Sequence, residues 1–298
     1  MRALFFGPYG VRAGLRFLAY LLLLVGLLLA LQIFIAPPVI VALHVPDGLT
    51  AYGFVISEIF EGIAVFGATA VLAGFERKRI DAYGLPLQLA FGKRFWEGTA
   101  IGVAMACLVA IAMIASGAMT VTGLALHGER LVIVTLTWLA AMLLVGLNEE
   151  YMFRGYPLQT LARGMGFWPA AVLLSLLFGA AHLTKSDENA IDITNIVLLG
   201  LLLCLTLRRT GSLWLAVGFH FSFDFMQFFV IGTRNGGVQP VDHLLNVSFP
   251  GPAWANGGPL GTEASYFMLP VILLMFVYII VRYPKPARQI QAGVAAGA

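Results

Sequence analysis

Six ionisable side chains in apolar surroundings stand at spacings that could support chemistry, and three of them form the pattern EExxxR. Glu150 and Arg154 are four residues apart, so a helix would bring them to one face as an ion pair. Glu149 would point about 100° away around that helix and stay free as a candidate general base. The structural alternative is two acids at a helix end that face the cytosol.

A histidine closes the apolar run FGAAH, which ends at His182. Its small residues would let another helix approach closely. A turn at residues 164–166 lies midway between Glu149 and His182, so an antiparallel hairpin would place both side chains at a similar depth. At about 1.5 Å per residue, each would lie roughly 20 Å from the turn. This prediction needs the helix that carries Glu149 to continue to about Ala162, despite a kink expected at Pro157.

A second histidine, His220, is followed four residues later by Asp224. On a helix the two share a face, where the acid could orient the ring, both could ligate a metal, or the pair could be purely structural. Histidines and carboxylates are usual ligands of a divalent metal such as zinc, although the chain has no HExxH motif. A water activated by glutamate needs no metal for hydrolysis, and we favour that chemistry.

The elements that carry these residues are predicted to be membrane helices. Hydrophobic residues make up 60% of the 298 and charged residues only 11%, whereas a soluble domain has about 25% charged residues. The long apolar runs are continuous rather than alternating, which favours helices over a barrel. We predict an all-α polytopic bundle of eight spans, at about residues 17–35, 52–75, 98–116, 131–147, 167–182, 191–207, 213–231 and 266–281.

The basic residues predict the orientation of this bundle. With the amino terminus inside, 14 Lys and Arg residues fall in inner segments and 3, including Lys185, in outer ones. An excess of basic residues marks cytoplasmic loops, so both termini are expected in the cytoplasm. Glu58 and Glu61, one turn apart in the second span, have no assigned partner and are candidates for the lining of a cavity.

Three stretches outside the spans carry separate expectations. Residues 82–95 look like an interfacial segment or, equally, a linker. The outer loop 232–262 is rich in Gly and Pro; it could cover a cavity, but a plain connection is favoured. Residues 293–298 are predicted to be disordered. The chain then divides into N-terminal helices with the interfacial segment (1–130), a catalytic core (131–231), and the outer loop, last helix and cytoplasmic tail (232–298).

The motifs EExxxR, FxxxH and HxxxD, in this order, resemble the CPBP family. That family includes the type II CAAX prenyl proteases and bacterial relatives similar to lysostaphin resistance protein A. The resemblance covers about residues 146–228; each motif is weak alone, but three on successive membrane helices are specific. It implies six site residues: Glu149, Glu150, Arg154, His182, His220 and Asp224.

The resemblance also implies roles for these residues. Glu149 and His182 would position and deprotonate a water that attacks a peptide carbonyl. Glu150 and Arg154 would hold the site together. His220 and residue 224 would stabilise the oxyanion. Eukaryotic members have Asn at that last position, and an ionised Asp224 cannot donate a hydrogen bond to an oxyanion. Asp224 is therefore expected to orient His220 or to bind a metal.

The predicted function is an intramembrane endopeptidase that cleaves a membrane-associated protein or peptide. Its expected partners are that peptide or protein substrate and the lipid bilayer, with no nucleic acid, in a multi-pass protein of a bacterial cell membrane. The sequence identifies no cofactor, and a divalent metal such as zinc stays open. The alternatives are a non-catalytic partner or immunity protein of the same fold, and a proton-coupled transporter, which the lack of an inverted repeat disfavours.

Overall fold

The computed structural model describes residues 6–7, 10–183 and 189–287, and long apolar helices dominate it. Lys185 and the segment 293–298 lie outside the described residues. The α-helices of the described part are α1 (Ala13–Ala30), α2 (Ala36–Ala42), α3 (Ala51–Phe75), α4 (Lys93–Ala115), α5 (Gly128–Arg154), α6 (Tyr156–Met165), α7 (Phe167–His182), α8 (Ala190–Thr210), α9 (Trp214–Asp224), α10 (Ala253–Asn256) and α11 (Met268–Arg282).

Shorter elements connect these helices. The π-helical segment Leu31–Ile35 joins α1 to α2, and a second one, Phe225–Ile231, extends α9. Single 3-10 turns occur at Ile80–Ala82, Leu87–Leu89, Gly258–Leu260 and Thr262–Ala264. The strands form two small antiparallel pairs, β1 (Phe6–Gly7) with β2 (Gly10–Val11) and β3 (Thr120–Leu124) with β4 (Leu245–Ser248).

Six helical stretches of the described residues are long and apolar enough to cross a membrane: Ala13–Ala42, Ala51–Phe75, Lys93–Ala115, Gly128–Met165, Ala190–Thr210 and Trp214–Ile231. α7 and α11 are apolar but shorter. With no water in lipid, a helix satisfies its own backbone groups and can therefore span the bilayer. The predicted all-α polytopic bundle is confirmed. The number of spans and the side of the termini stay predictions.

The helix that carries Glu149 ends earlier than expected. α5 stops at Arg154, and Gly155 takes φ −74° and ψ −116°, which is not helical. α6 then begins with Pro157 in its first turn, where the missing N–H of proline costs no hydrogen bond. The prediction of one helix to about Ala162 was therefore wrong, because proline restarts the helix here instead of kinking it. The turn predicted at 164–166 is present, with Gly166 at φ +85°.

Glycines bring α4 and α5 into backbone contact with α9. A Cβ added at Gly98 or Gly102 of α4 would overlap a backbone oxygen of α9, and one at Gly218 of α9 would overlap a backbone oxygen of α4. On the other side, a Cβ at Gly146 of α5 would lie 2.8 Å from the backbone nitrogen of Phe221. Small residues at helix crossings permit such close packing in membranes. α9 is thus clamped between two helices.

An ion-pair cluster around Glu76 joins the helix ends that are predicted to face the cytoplasm. Glu76 follows α3 and accepts from Arg16 (3.1 Å), Tyr156 (2.8 Å), Tyr83 (3.0 Å) and Lys78 (3.3 Å). Burial opposes its charge, but the two tyrosine hydroxyls and the two cations together hold the pKa of Glu76 below its usual value. The cluster ties α1, α3 and α6 together at one end of the bundle.

The segment 82–95 packs beneath the start of α9. The amide nitrogen of Leu213 donates to the carbonyl of Gly84 at 2.7 Å, and the indole nitrogen of Trp214 donates to the carbonyl of Pro86 at 3.0 Å. Leu87 and Phe91 are exposed at the same end. Apolar side chains outside the core beside a basic helix start favour the interfacial interpretation over the linker.

We expect the α4–α9 crossing to control the stability of the bundle. Gly218→Ala should lower the melting temperature of the detergent-solubilised protein, since an overpacked contact costs about 1–3 kcal/mol. Gly26→Ala in α1 is the matched control, because a Cβ there meets nothing within 4 Å. Tryptophan fluorescence during heating measures both variants. Equal melting of Gly218→Ala and the wild type would contradict the proposed backbone contact.

Candidate active site

His220 on α9 is the point at which the predicted motifs meet. Its Nδ1 lies 2.9 Å from Oε1 of Glu150 on α5. Its Nε2 lies 3.4 Å from Oδ2 of Asp224 and 3.7 Å from Oε2 of Glu149. The bond to Glu150 fixes the orientation of the ring, because a carboxylate accepts the hydrogen of Nδ1. Nε2 is therefore directed between the other two carboxylates.

The predicted ion pair between Glu150 and Arg154 is present and fully buried. Nη1 of Arg154 lies 3.0 Å from Oε1 of Glu150, and the two side chains are 1% and 0% exposed. The guanidinium also lies over the ring of Phe178, 4.6 Å from its centroid. A Cβ at Gly200 would come within 3.1 Å of Nη2, so α8 also packs closely against this cation. The alternative of solvated acids at a helix end is wrong for Glu150.

A cavity of about 460 Å³ borders this cluster. Four of the six predicted site residues line it: Glu149, His182, His220 and Asp224. The other two, Glu150 and Arg154, form the buried ion pair. The remaining wall is mainly apolar and comes from α3, α5, α8, α9 and the π-helical segment that follows it: Phe54, Met142, Val145, Ile196, Leu199, Leu203, Phe219, Phe223 and Phe228. Glu149 keeps 25% of its side chain exposed, toward this space.

His182, at the end of α7, presents one nitrogen to the cavity. Its Nδ1 lies 2.9 Å from the carbonyl oxygen of Phe178, one turn earlier. A carbonyl oxygen only accepts, so Nδ1 carries a hydrogen and Nε2 of the neutral ring is the free acceptor. The ring of Phe178 separates the two histidines, with centroids 4.9 Å from His182 and 6.4 Å from His220.

The outer loop contributes to the cavity wall. Asn235 and Gly236 line the cavity, together with Leu49 from the α2–α3 connection and Glu263 from the last 3-10 turn. The amide nitrogen of Val241 also donates to the carbonyl of Leu49 at 2.8 Å, which ties the two connections together. Interpretation of this loop as a plain connection was therefore incomplete. The cavity extends toward the face that the charges predict to be outside.

Three polar residues at or near the cavity were not assigned a role in the sequence analysis: Asn148, Gln227 and Glu263. The lining role expected for Glu58 is confirmed, and its partner is Asn148, the residue immediately before Glu149. Gln227 donates at 3.0 Å to Oε1 of Glu263 in the cavity wall. Gln227 lies seven residues after His220, so the helical period places it on the same face and could have revealed it.

The described residues do not fit a metal such as zinc. Among them, no group of three or more His, Cys, Asp or Glu side chains is arranged to hold an ion. Nδ1 of His220 is held by Glu150 and Nδ1 of His182 by a backbone carbonyl, so each ring offers only Nε2. A zinc site normally needs three or four protein ligands around one point.

Comparison with known proteins identifies the segment that carries these motifs. Residues 131–226, about a third of the chain, match the family described as type II CAAX prenyl endopeptidase, Rce1-like, which supports the predicted resemblance over this segment. An uncharacterized 24.3 kDa protein of Escherichia coli is 36% identical over 89 residues. That alignment spans 29% of this chain and 40% of the relative. All six predicted site residues lie within the matched family segment.

The buried ion pair should be essential for folding. Arg154→Met leaves Glu150 charged without its cation, which costs about 3–5 kcal/mol when a buried pair is broken. Arg79→Met is the matched control, because Arg79 pairs with Asp81 on the surface, where solvent screens the pair and its loss changes stability little. Thermal unfolding in detergent measures both variants. The interpretation fails if the two variants lose the same small amount of stability.

Proposed function

We propose that this chain, whose residues 131–226 match the Rce1-like type II CAAX prenyl endopeptidases, is an intramembrane endopeptidase. It hydrolyses a peptide bond of a membrane-associated protein or peptide. The observation that carries the proposal is the common cavity wall of Glu149, His182 and His220, which come from three different helices. A cavity of about 460 Å³ has room for a few residues of an extended peptide.

The attacking water binds between Glu149 and His182. Nε2 of His182 accepts one of its hydrogens, because Nδ1 is already bonded to the carbonyl of Phe178. Glu149 removes the other proton, and the water oxygen forms a bond to the carbonyl carbon. Glu149 suits this task because its carboxylate borders the cavity and forms no ion pair with Arg154, which is bound by the neighbouring Glu150.

The oxyanion forms beside His220. The donor in this step is the imidazolium form of His220, which the carboxylates of Glu149, Glu150 and Asp224 around the ring favour. Its Nδ1–H is held by Glu150, and its Nε2–H donates to the developing negative charge. Asp224, 3.4 Å from Nε2, orients the ring on that side. Arg154 and Glu150 act as positioning residues, since they touch His220 or its partner and have no exposure to the cavity. The tetrahedral intermediate then collapses, the C–N bond breaks, and the leaving nitrogen takes up a proton.

The apolar wall contributes to this chemistry. Apolar side chains from α3, α5, α8, α9 and the π-helical segment after it make up most of the cavity wall and lower its polarity. In such a medium a fixed hydrogen-bond donor stabilises a developing charge more strongly than it does in water. The same wall suits a substrate with bulky apolar side chains.

Glu149→Gln should abolish cleavage while the protein stays folded. A general base contributes about 10²–10⁴-fold to the rate, and glutamine cannot accept the proton. The assay uses purified protein in liposomes, a panel of internally quenched peptides with apolar cores, and mass spectrometry of the fragments. Glu129→Gln, at the exposed start of α5, is the matched control and should cleave like the wild type.

Two results would contradict the proposed function. Equal cleavage by Glu149→Gln and the wild type would exclude Glu149 as the base. A Glu149→Gln variant that keeps the cellular phenotype of the wild-type gene would instead support a non-catalytic membrane partner of the same fold. Circular dichroism and melting temperature, compared across all three proteins, separate lost chemistry from lost folding.

A further inference from the structure

One cavity carboxyl has no part in the mechanism above. Glu58 belongs to α3, outside the family segment 131–226, and lines the same wall as Glu149 and His220. The residue is only 8% exposed. An acid in the middle of a membrane helix is costly, so it persists only where it pairs or acts. Its location in the same cavity wall as the proposed base indicates a chemical role.

Asn148 fixes Glu58 relative to the base. The side-chain nitrogen of Asn148 donates to the backbone oxygen of Glu58 at 2.7 Å and to its Oε2 at 3.0 Å, so both hydrogens of the amide bind one residue. Asn148 itself is 1% exposed and immediately precedes Glu149 on α5. A Cβ at Gly62, one turn beyond Glu58, would lie 3.0 Å from Oδ1 of Asn148, so a glycine makes room for this clamp.

The clamp engages one carboxyl oxygen and leaves the other available. Oε2 of Glu58 is bonded to the amide, whereas Oε1 is the oxygen that can carry a proton toward the cavity. The described ionisable groups whose charges act on Glu58 are Glu61 on its own helix, Glu149 on α5, and His220 and Asp224 on α9. Three of these four are acids. Arg154 is already paired with Glu150 and does not compensate them.

Closely placed carboxylates in a dry site cannot all be ionised, so a proton is retained among them. Glu149 faces Nε2 of His220 at 3.7 Å, a partner that favours its ionised form. Glu58 faces the neutral amide of Asn148 instead, which donates to a protonated or an ionised carboxyl. Of these two carboxyls of the cavity wall, Glu58 is therefore the one that retains a proton, and Glu149 stays free to act as the base.

We propose that Glu58 is a further catalytic residue, the general acid that protonates the leaving nitrogen when the peptide C–N bond breaks. The proposal rests on the proposed hydrolase function. Glu149 takes one proton from water, the water oxygen bonds to the carbonyl carbon, and the proton on Glu58 moves to the nitrogen. The proton on Glu149 then passes to Glu58, which restores both groups without any external acid or base.

The kinetic test compares Glu58 with a glutamate that lies outside the cavity. Glu58→Gln keeps an acceptor oxygen for Asn148 but has no acidic proton to give to the leaving nitrogen, so kcat should fall about 10²-fold or more. KM for an internally quenched apolar peptide cleaved by the wild type should stay within threefold, roughly 0.65 kcal/mol, and the alkaline limb of the pH profile should disappear. Glu129→Gln is the control, because Glu129 is exposed at the start of α5 and does not line the cavity; its kcat should stay within threefold.

A second measurement needs no substrate. Dicyclohexylcarbodiimide reacts with protonated carboxyls in apolar surroundings, and peptide mass spectrometry locates the modified residue. Labelling of Glu58 at neutral pH should exceed that of Glu149 and should decline as the pH rises. Absence of label on Glu58, or stronger labelling of Glu149, would overturn the assignment of the retained proton.

The combined outcomes distinguish failure of this inference from failure of the proposed function. An inactive Glu149→Gln variant beside a fully active Glu58→Gln variant would overturn the role of Glu58 and leave the hydrolase intact. A fully active Glu149→Gln variant would overturn the hydrolase mechanism, and the proton-donor role of Glu58 with it. Loss of kcat and of the alkaline limb in Glu58→Gln, with Glu129→Gln unaffected, is the result we expect.

Discussion

A single carboxylate oxygen, Oε1 of Glu150, joins the parts of the candidate site. It accepts from Arg154 at 3.0 Å and lies 2.9 Å from Nδ1 of His220, so it connects α5 to α9 inside the bundle. Burying an ionised carboxylate is costly, and here both the cation and the imidazole compensate it. Every proposed role of His220 depends on this contact, because the bond at Nδ1 determines which nitrogen faces the cavity.

Backbone packing keeps that contact in place. Glycines on α4, α5 and α9 allow the helices to touch through their backbones, which limits the sliding and rotation of α9. The break at Gly155 then lets the chain leave α5 directly after Arg154, and α6 ends at the Gly166 turn that begins α7. The hairpin therefore still delivers His182 to the cavity that contains Glu149, although the connecting helix is not continuous.

The charges of the site are unevenly distributed between elements. The family segment supplies Glu149 and the two histidines, whereas α3 and the last 3-10 turn supply Glu58 and Glu263 to the same cavity. Glu58 and Glu263 each accept from an amide side chain, that of Asn148 or Gln227. An amide orients a carboxyl without neutralising it. Elements outside the family segment thus contribute carboxyl groups to the cavity as well as hydrophobic packing.

The sequence by itself determined the membrane bundle, the Glu150–Arg154 pair and the three motifs, because hydrophobic run length and four-residue spacing act within one helix. It also located the turn at Gly166. The tertiary structure alone decided that His220 binds Glu150, that Asn148 holds Glu58, and that the outer loop lines the cavity. Contacts between helices depend on their rotation and crossing geometry, which residue spacing does not specify. The sequence likewise did not determine that α5 ends at Arg154, because a proline near this position is compatible with a kinked helix and with a helix that ends and starts again.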